Sequence, residues 1–269
     1  MTKFLIILLL GLPLCVAEPI KRIQVFGERN SGTNYLSTIL RVNFPQLEIY
    51  DYGENGSYGI KHWPAWVGKP ISYNFRLYGK QAERFCTFPN SDDCLFIYIF
   101  RNPYDWVQAM ARTPWEIAKQ PSLDAFLRTP PSYNKSLEKV QNSPELAKYL
   151  RELNPDTNLP FDNILTLRAK KIENALQIKN LVKHFIILKY EDFKTDPFFF
   201  LKQINKIIPV ATPENEFLDV NFDARPGSFS KKYKNKPYPP LSHENLLFIN
   251  SHADWDLECL LGYAMREHN

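Results

Sequence analysis

The sequence predicts an α/β domain, a parallel sheet covered by helices on both faces, and three observations carry that prediction. Short continuous apolar runs at 23–27, 95–100 and 185–190 have the length and character of strands buried on both sides. Stretches with helical apolar spacing separate them, the alternation that βαβ units produce. The first run ends in a glycine turn that opens directly onto a helical pattern at Thr33. A weaker strand is expected at 58–62. With 269 residues, 44% of them hydrophobic and 14% aromatic, the chain can bury one sizeable core and lies at the upper end of a single domain. No repeats or long linkers divide it.

Taken in order, the chain begins with Lys3 ahead of an apolar run from Phe4 to Ala17, with small residues Cys15 and Ala17 before Glu18. This is the pattern of a secretory signal peptide over residues 1–17, leaving a single domain at 18–269. The run is short of the roughly 20 apolar residues of a membrane span, and an uncleaved Golgi-type anchor is the alternative. Either way the expected place is the secretory pathway, secreted or in the Golgi lumen. Cys86 and Cys94 are close enough in sequence to close a disulfide loop in an oxidising lumen, leaving Cys259 free and buried. Asn55-Gly56-Ser57 and Asn134-Lys135-Ser136 are glycosylation sequons, so a glycoprotein is expected.

The first glycine turn reads Gly27-Glu28-Arg29-Asn30-Ser31-Gly32-Thr33-Asn34. Its glycines have the spacing of a Walker A loop, and backbone amides entering a helix at Thr33 would face an anion with the positive end of the helix dipole behind them. Thr33 stands where the Walker lysine belongs, so a nucleoside triphosphate with magnesium is a poor fit. Tyr58-Gly59-Ile60-Lys61-His62-Trp63-Pro64 follows, with His62 a candidate base of near-neutral pKa. The run at 95–100 leads at once into Arg101-Asn102-Pro103-Tyr104-Asp105, where a fixed, bidentate guanidinium suits a phosphate. Residues of about 113–184 are expected to form a helical lid or acceptor-binding insert, including a long helical pattern from Ile164 to His184. Phe185 to Phe193 is a strand run ending in Tyr190-Glu191-Asp192. Arg225-Pro226-Gly227 precedes the basic run Lys231 to Lys236, and the stretch from Leu246 to Tyr263 reads as a closing helix.

These segments, in this chain order, resemble the sulfotransferases that use PAPS (3′-phosphoadenosine 5′-phosphosulfate), over about residues 22–265. The pattern Gly27, Arg29, Gly32, Thr33 and Leu36 resembles their 5′-phosphosulfate loop; the resemblance implies a three-layer fold with a P-loop-like phosphosulfate-binding loop. It further implies that Arg29, Asn30, Ser31, Gly32, Thr33 and Asn34 bind the phosphosulfate, and that Arg101 grips the 3′-phosphate. Tyr190 would lie near the adenine, with Arg225 and Gly227 in the loop that closes over the nucleotide. His62, in a segment similar to the family's Lys-Thr-His-x-Pro, would be the catalytic base, with Lys61 and Arg29 supporting it. The chain departs from the pattern at three places. Asn30 replaces a lysine that helps the bridging oxygen leave, so Arg29 or Lys61 must supply that cation; Ala109 replaces a phosphate-binding serine, with Gln108 beside it; and Pro226 replaces a lysine.

The implied activity is sulfuryl transfer from PAPS to a hydroxyl or amine acceptor, a small molecule or a carbohydrate such as a glycan, with PAP (3′-phosphoadenosine 5′-phosphate) as product. No metal is expected, since metal-ligand spacing is absent. Two rival readings stand beside it: a secreted pseudoenzyme that binds nucleotide or glycan without turnover, and a P-loop kinase. The net charge of +4 from 33 basic and 29 acidic residues falls to +3 once Lys3 is cleaved away. That is too little for a nucleic-acid partner, and no membrane contact beyond the N-terminal segment is expected.

Overall fold

The computed structural model describes residues 19–51, 56–62, 64, 66–68, 75–77, 80–82, 87–114, 117–132, 153–208, 212–213, 216–220 and 237–267. The signal segment, Cys86, Asn55, Asn134, Arg225, Gly227 and the 231–236 basic run lie outside these residues. An α/β fold emerges, built on a four-stranded, all-parallel sheet. Its strands are β1 (Arg22–Gly27), β2 (Glu48–Tyr50), β5 (Cys94–Phe100) and β6 (His184–Lys189), in the spatial order β2-β1-β5-β6. A separate antiparallel pair, β3 (Phe75–Leu77) and β4 (Lys80–Ala82), stands apart from it. Among the described residues the helices are α1 (Thr33–Asn43), α2 (Pro103–Arg112), α3 (Leu123–Arg128), α4 (Ile164–Lys179), α5 (Tyr190–Thr195), α6 (Pro197–Asn205), α7 (His243–His252) and α8 (Trp255–Leu260). Among the described residues no helix is long and apolar enough to cross a membrane.

Strand β5 explains how the sheet sorts its two faces. Side chains alternate across a strand, so Leu95, Ile97 and Ile99 point one way and Phe96, Tyr98 and Phe100 the other. The aliphatic face joins Ile23 and Val25 against Leu36, Ile39 and Leu40 of α1 and Leu201 and Ile204 of α6. Phe26 and the aromatic face of β5 meet Ile172, Ala175 and Ile178 of α4 instead. Every residue of β5 is buried, whereas the edge strand β6 is only half-buried along most of its length.

The helix starts are written locally. Pro103 opens α2 behind Asn102, whose side chain accepts from the Tyr104 amide at 3.1 Å. Asn163 and Thr166 form a reciprocal capping box at the start of α4.

Several expectations need correction. Residues 58–62 are turns with a single bridge at Ile60 rather than a strand. The buried Gln24 side chain takes over there, accepting from the Tyr58 amide at 2.8 Å and donating to the Gly59 carbonyl at 3.3 Å, so those backbone groups are satisfied without a ladder. The strand beside β1 is the shorter β2. The helical pattern expected to reach His184 stops at Lys179, because His184 already pairs in β6, and the closing helix breaks into α7 and α8 at Ala253 and Asp254. Cys259 is exposed on α8, whose inward-facing position is taken by Glu258, buried and held by Arg168. Cys94 is a buried free thiol, its pKa pushed up to about 12 chiefly by burial. Within the stretch expected to be an insert, α4 packs on the sheet itself.

Candidate functional site

The carboxyl ends of β1 and β5 and the start of α5 beyond β6 bring the sequence candidates to one edge of the sheet, where ligands of open parallel sheets sit. The turn after β1 is tightly constrained. A Cβ on Gly27 would lie 2.7 Å from the Ile99 carbonyl oxygen and 2.8 Å from Thr33 Cγ2, so only glycine lets β1 run this close to β5 and α1. Asn30 and Gly32 both take positive φ, 60° and 91°, and a Cβ on Gly32 would strike the Tyr190 ring at 2.5 Å. The turn closes with the Ser31 hydroxyl donating to the Glu28 carbonyl at 2.6 Å. Helix α1 then begins with no side-chain cap at Gly32 and no acid in its first turn, leaving its positive end uncompensated.

Neighbouring elements hold this loop from outside. Trp106 Nε1 of α2 donates to the Arg29 carbonyl at 2.9 Å, and Arg101 Nη1 donates to the Asn30 carbonyl at 3.2 Å. The Asn30 side chain reaches outside the loop, donating to the Thr113 carbonyl at 2.9 Å and lying 3.2 Å from Met110 Sδ. Ser31 and Thr33 are buried, and Asn34 Oδ1 accepts from Lys61 Nζ. Lys61, only 2% exposed, also lies 3.6 Å from Asp51.

His62 sits against the same loop. Its Nδ1 is 2.9 Å from the Gly27 carbonyl, an acceptor only, so Nδ1 carries the proton and Nε2 the lone pair. Burial, then the charges of Lys61, Arg29 and Lys171, hold its pKa well below 6.5, so the ring is neutral near pH 7. Lys171 Nζ donates to the His62 carbonyl at 3.2 Å. Glu28, the carboxylate of the glycine loop itself, is 1% exposed and ion-paired with Arg168, so it is not placed to act as a base.

Arg101 lies with its guanidinium 4.8 Å from the Tyr190 ring centre and 5.4 Å from that of Tyr238, and its buried Nε has no hydrogen-bond partner among the described residues. It borders a cleft of about 600 Å³ that Gln108, Tyr190, Glu191, Lys194 and Tyr238 also line. Glu191 is fixed by accepting from the Asn102 amide at 2.8 Å and from the Tyr263 hydroxyl at 3.0 Å. The arrangement can hold an anion at the glycine loop and a second, with an aromatic ring, in the Arg101 cleft.

Sequence reasoning missed Arg168 and Lys171 of α4, Lys194 of α5, and Tyr238. One signal for the first two existed. They fall among Ile164, Leu165, Leu167, Ile172 and Ala175 on the buried side of a core-facing helix, where basic residues need a partner. Arg225 and Gly227 lie outside the described residues.

Fold and site together define an α/β protein with a glycine loop and buried cations at the carboxyl edge of a parallel sheet. No protein-family model matches the chain, and no curated protein matches it.

Proposed function

We propose that the chain is a PAPS-dependent sulfotransferase of the secretory pathway, transferring a sulfuryl group to a hydroxyl or amine acceptor, with glycans among the candidates. The observation that carries this reading is the meeting of a neutral, oriented histidine with buried cations at the glycine loop. His62 contacts Gly27, while Arg29, Lys61 and Lys171 all act on its charge. In this reading the loop, P-loop-like in its role, holds the 5′-phosphosulfate against the α1 N-terminus. The acceptor oxygen attacks sulfur as the S–O bond to the phosphate breaks, His62 Nε2 takes the acceptor's proton, and PAP departs with the bonding pair. The three cations stabilise charge on the sulfonate and the departing phosphate, the work the missing lysine would share. Arg101 and Gln108 would hold the 3′-phosphate, and Tyr190 would face the adenine. No step calls for a metal.

Calorimetry tests the donor site. Wild-type protein is expected to bind PAP more tightly than ADP, and Arg101→Ala to remove most of that preference, because ADP lacks the 3′-phosphate. Equal affinity for both, with tight magnesium-dependent ATP binding, would establish a P-loop kinase instead. A labelled-sulfate screen over glycans, tyrosyl peptides and small alcohols then tests transfer. The pseudoenzyme reading draws support from one contact, the engagement of Asn30 Nδ2 with the Thr113 carbonyl. PAP binding without transfer to any acceptor class would favour it.

A further inference from the structure

We infer that Arg168 is a positioning residue that sets the glycine loop in register with Arg101, so that two anion grips on separate strands act as one site. The identity of the anion rests on the reading above; the geometry does not. Arg168 is 1% exposed and sits where four parts of the fold meet. Its Nη1 bonds the carboxylate of Glu28, the residue before Arg29. Nε and Nη2 hold the two oxygens of Glu258 on α8 at 2.5 and 2.9 Å, and Nη2 also donates to the Arg101 carbonyl at 2.8 Å. The guanidinium centre lies 5.0 Å from the ring centre of Trp106, whose indole N–H holds the Arg29 carbonyl.

One planar fork thus touches the backbone of Arg101 directly and the loop twice, through Glu28 and through Trp106. Lysine cannot reproduce this, because its single ammonium carries the charge but not the fixed divergence of the bonds. Arg29, buried in the loop after β1, and Arg101, at the cleft after β5, are therefore spaced by a residue of α4 that belongs to neither strand. Small displacements matter here, since misplacing a binding or reacting group by about 1 Å costs as much as 10²-fold in rate.

The test uses the full chain in two variants. Arg168→Lys keeps the charge. Arg168→Met alone would strand two buried carboxylates, so the second variant is Glu28→Gln/Arg168→Met/Glu258→Gln, which removes the three charges together at similar volume. Amide hydrogen exchange is read without ligand, and affinity is read by calorimetry with PAP and with inorganic pyrophosphate. Local loss of protection at 28–33 and 101–106, with β1 and β5 interiors protected as in wild type, is expected. Anion affinity should fall by about 10–100-fold while cooperative unfolding is retained. Uniform loss of protection, or failure of both variants to fold, would make Arg168 merely structural and overturn the inference. So would loop protection and anion affinity within about threefold of wild type. If wild type binds pyrophosphate but not PAP, the donor reading fails, while the exchange and pyrophosphate measurements still decide the role of Arg168.

Discussion

Replacing Gly32 by alanine tests whether the loop and the Arg101 cleft are one mechanical unit. Gly32 has φ +91°, and the added methyl would lie 2.5 and 2.7 Å from two carbons of the Tyr190 ring. Left-handed backbone costs a residue with a Cβ about 1–2 kcal/mol. Forcing a methyl into an occupied site costs a further 1–3 kcal/mol or so. The sum is about 2–5 kcal/mol, which at roughly 2–4 °C per kcal/mol for a chain of this size lowers Tm by about 4–20 °C. Gly68 supplies the control, because it has φ +74° with no heavy atom within 4 Å of an added Cβ. Gly68→Ala should therefore cost only the backbone component, about 1–2 kcal/mol. Urea and thermal unfolding followed by circular dichroism measure both. The Tyr190 ring cannot yield alone, since the Arg101 guanidinium stacks on it at 4.8 Å, so Gly32→Ala should weaken PAP binding as well. If the two alanine variants lose stability within about 0.5 kcal/mol of each other, the close approach of Tyr190 is not a constraint and the reasoning fails. A destabilised Gly32→Ala that keeps full PAP affinity would refute the link to Arg101.

Three other outcomes follow from the same geometry. His62 has a folded-state pKa depressed below its unfolded value near 6.5, so its contribution to stability is complete above that pH and is lost as pH falls toward the folded pKa. The slope is at most about 1.4 kcal/mol per pH unit, and urea titrations from pH 7.5 to 5 on wild type and His62→Ala should show it reduced in the variant. With an identified acceptor, His62→Ala should cut turnover by about 10²–10⁴ while PAP affinity stays within a few-fold; unchanged turnover would remove His62 as base. Gln24→Leu keeps the volume but leaves the Tyr58 amide unpaired, for a loss of about 1–3 kcal/mol in urea unfolding. A neutral result there would mean that the 58–62 turns hold themselves.

What the sequence disclosed was the part of the fold written in contiguous residues. The runs at β1, β5 and β6 are apolar because both faces are covered, and the turn after β1 needs glycine for reasons visible in its spacing. The edge strand β2 was hidden, since three residues with a glutamate and a half-exposed tyrosine carry no periodicity. Residues 58–62 read as a strand because apolar Tyr58 and Ile60 alternate, but the Gln24 side chain of β1 satisfies Tyr58 and Gly59, and backbone bonds to Asp51 and Gly27 are confined to Lys61. His62 and Lys61 stood out by their neighbours in the chain. Arg168 and Lys171 did not, because a basic residue on a helix normally reads as solvated, and only the fold brings Glu28, Glu258 and His62 to them.

The strand order also governs when the protein can exist at all. Arg22 pairs with Cys94, and Leu95 pairs with His184, so the central strand gains its second neighbour only after two thirds of the chain has been made. At translation rates of about 5–20 residues per second, β1 waits on the order of ten seconds or more for the sheet to be completed. Pairings this distant in the chain make assembly slow, and until β6 arrives β5 offers an open, wholly apolar edge to any other chain nearby. A nascent or truncated polypeptide ending before His184 is therefore a substrate for chaperones and a seed for aggregation, whatever the mature molecule binds.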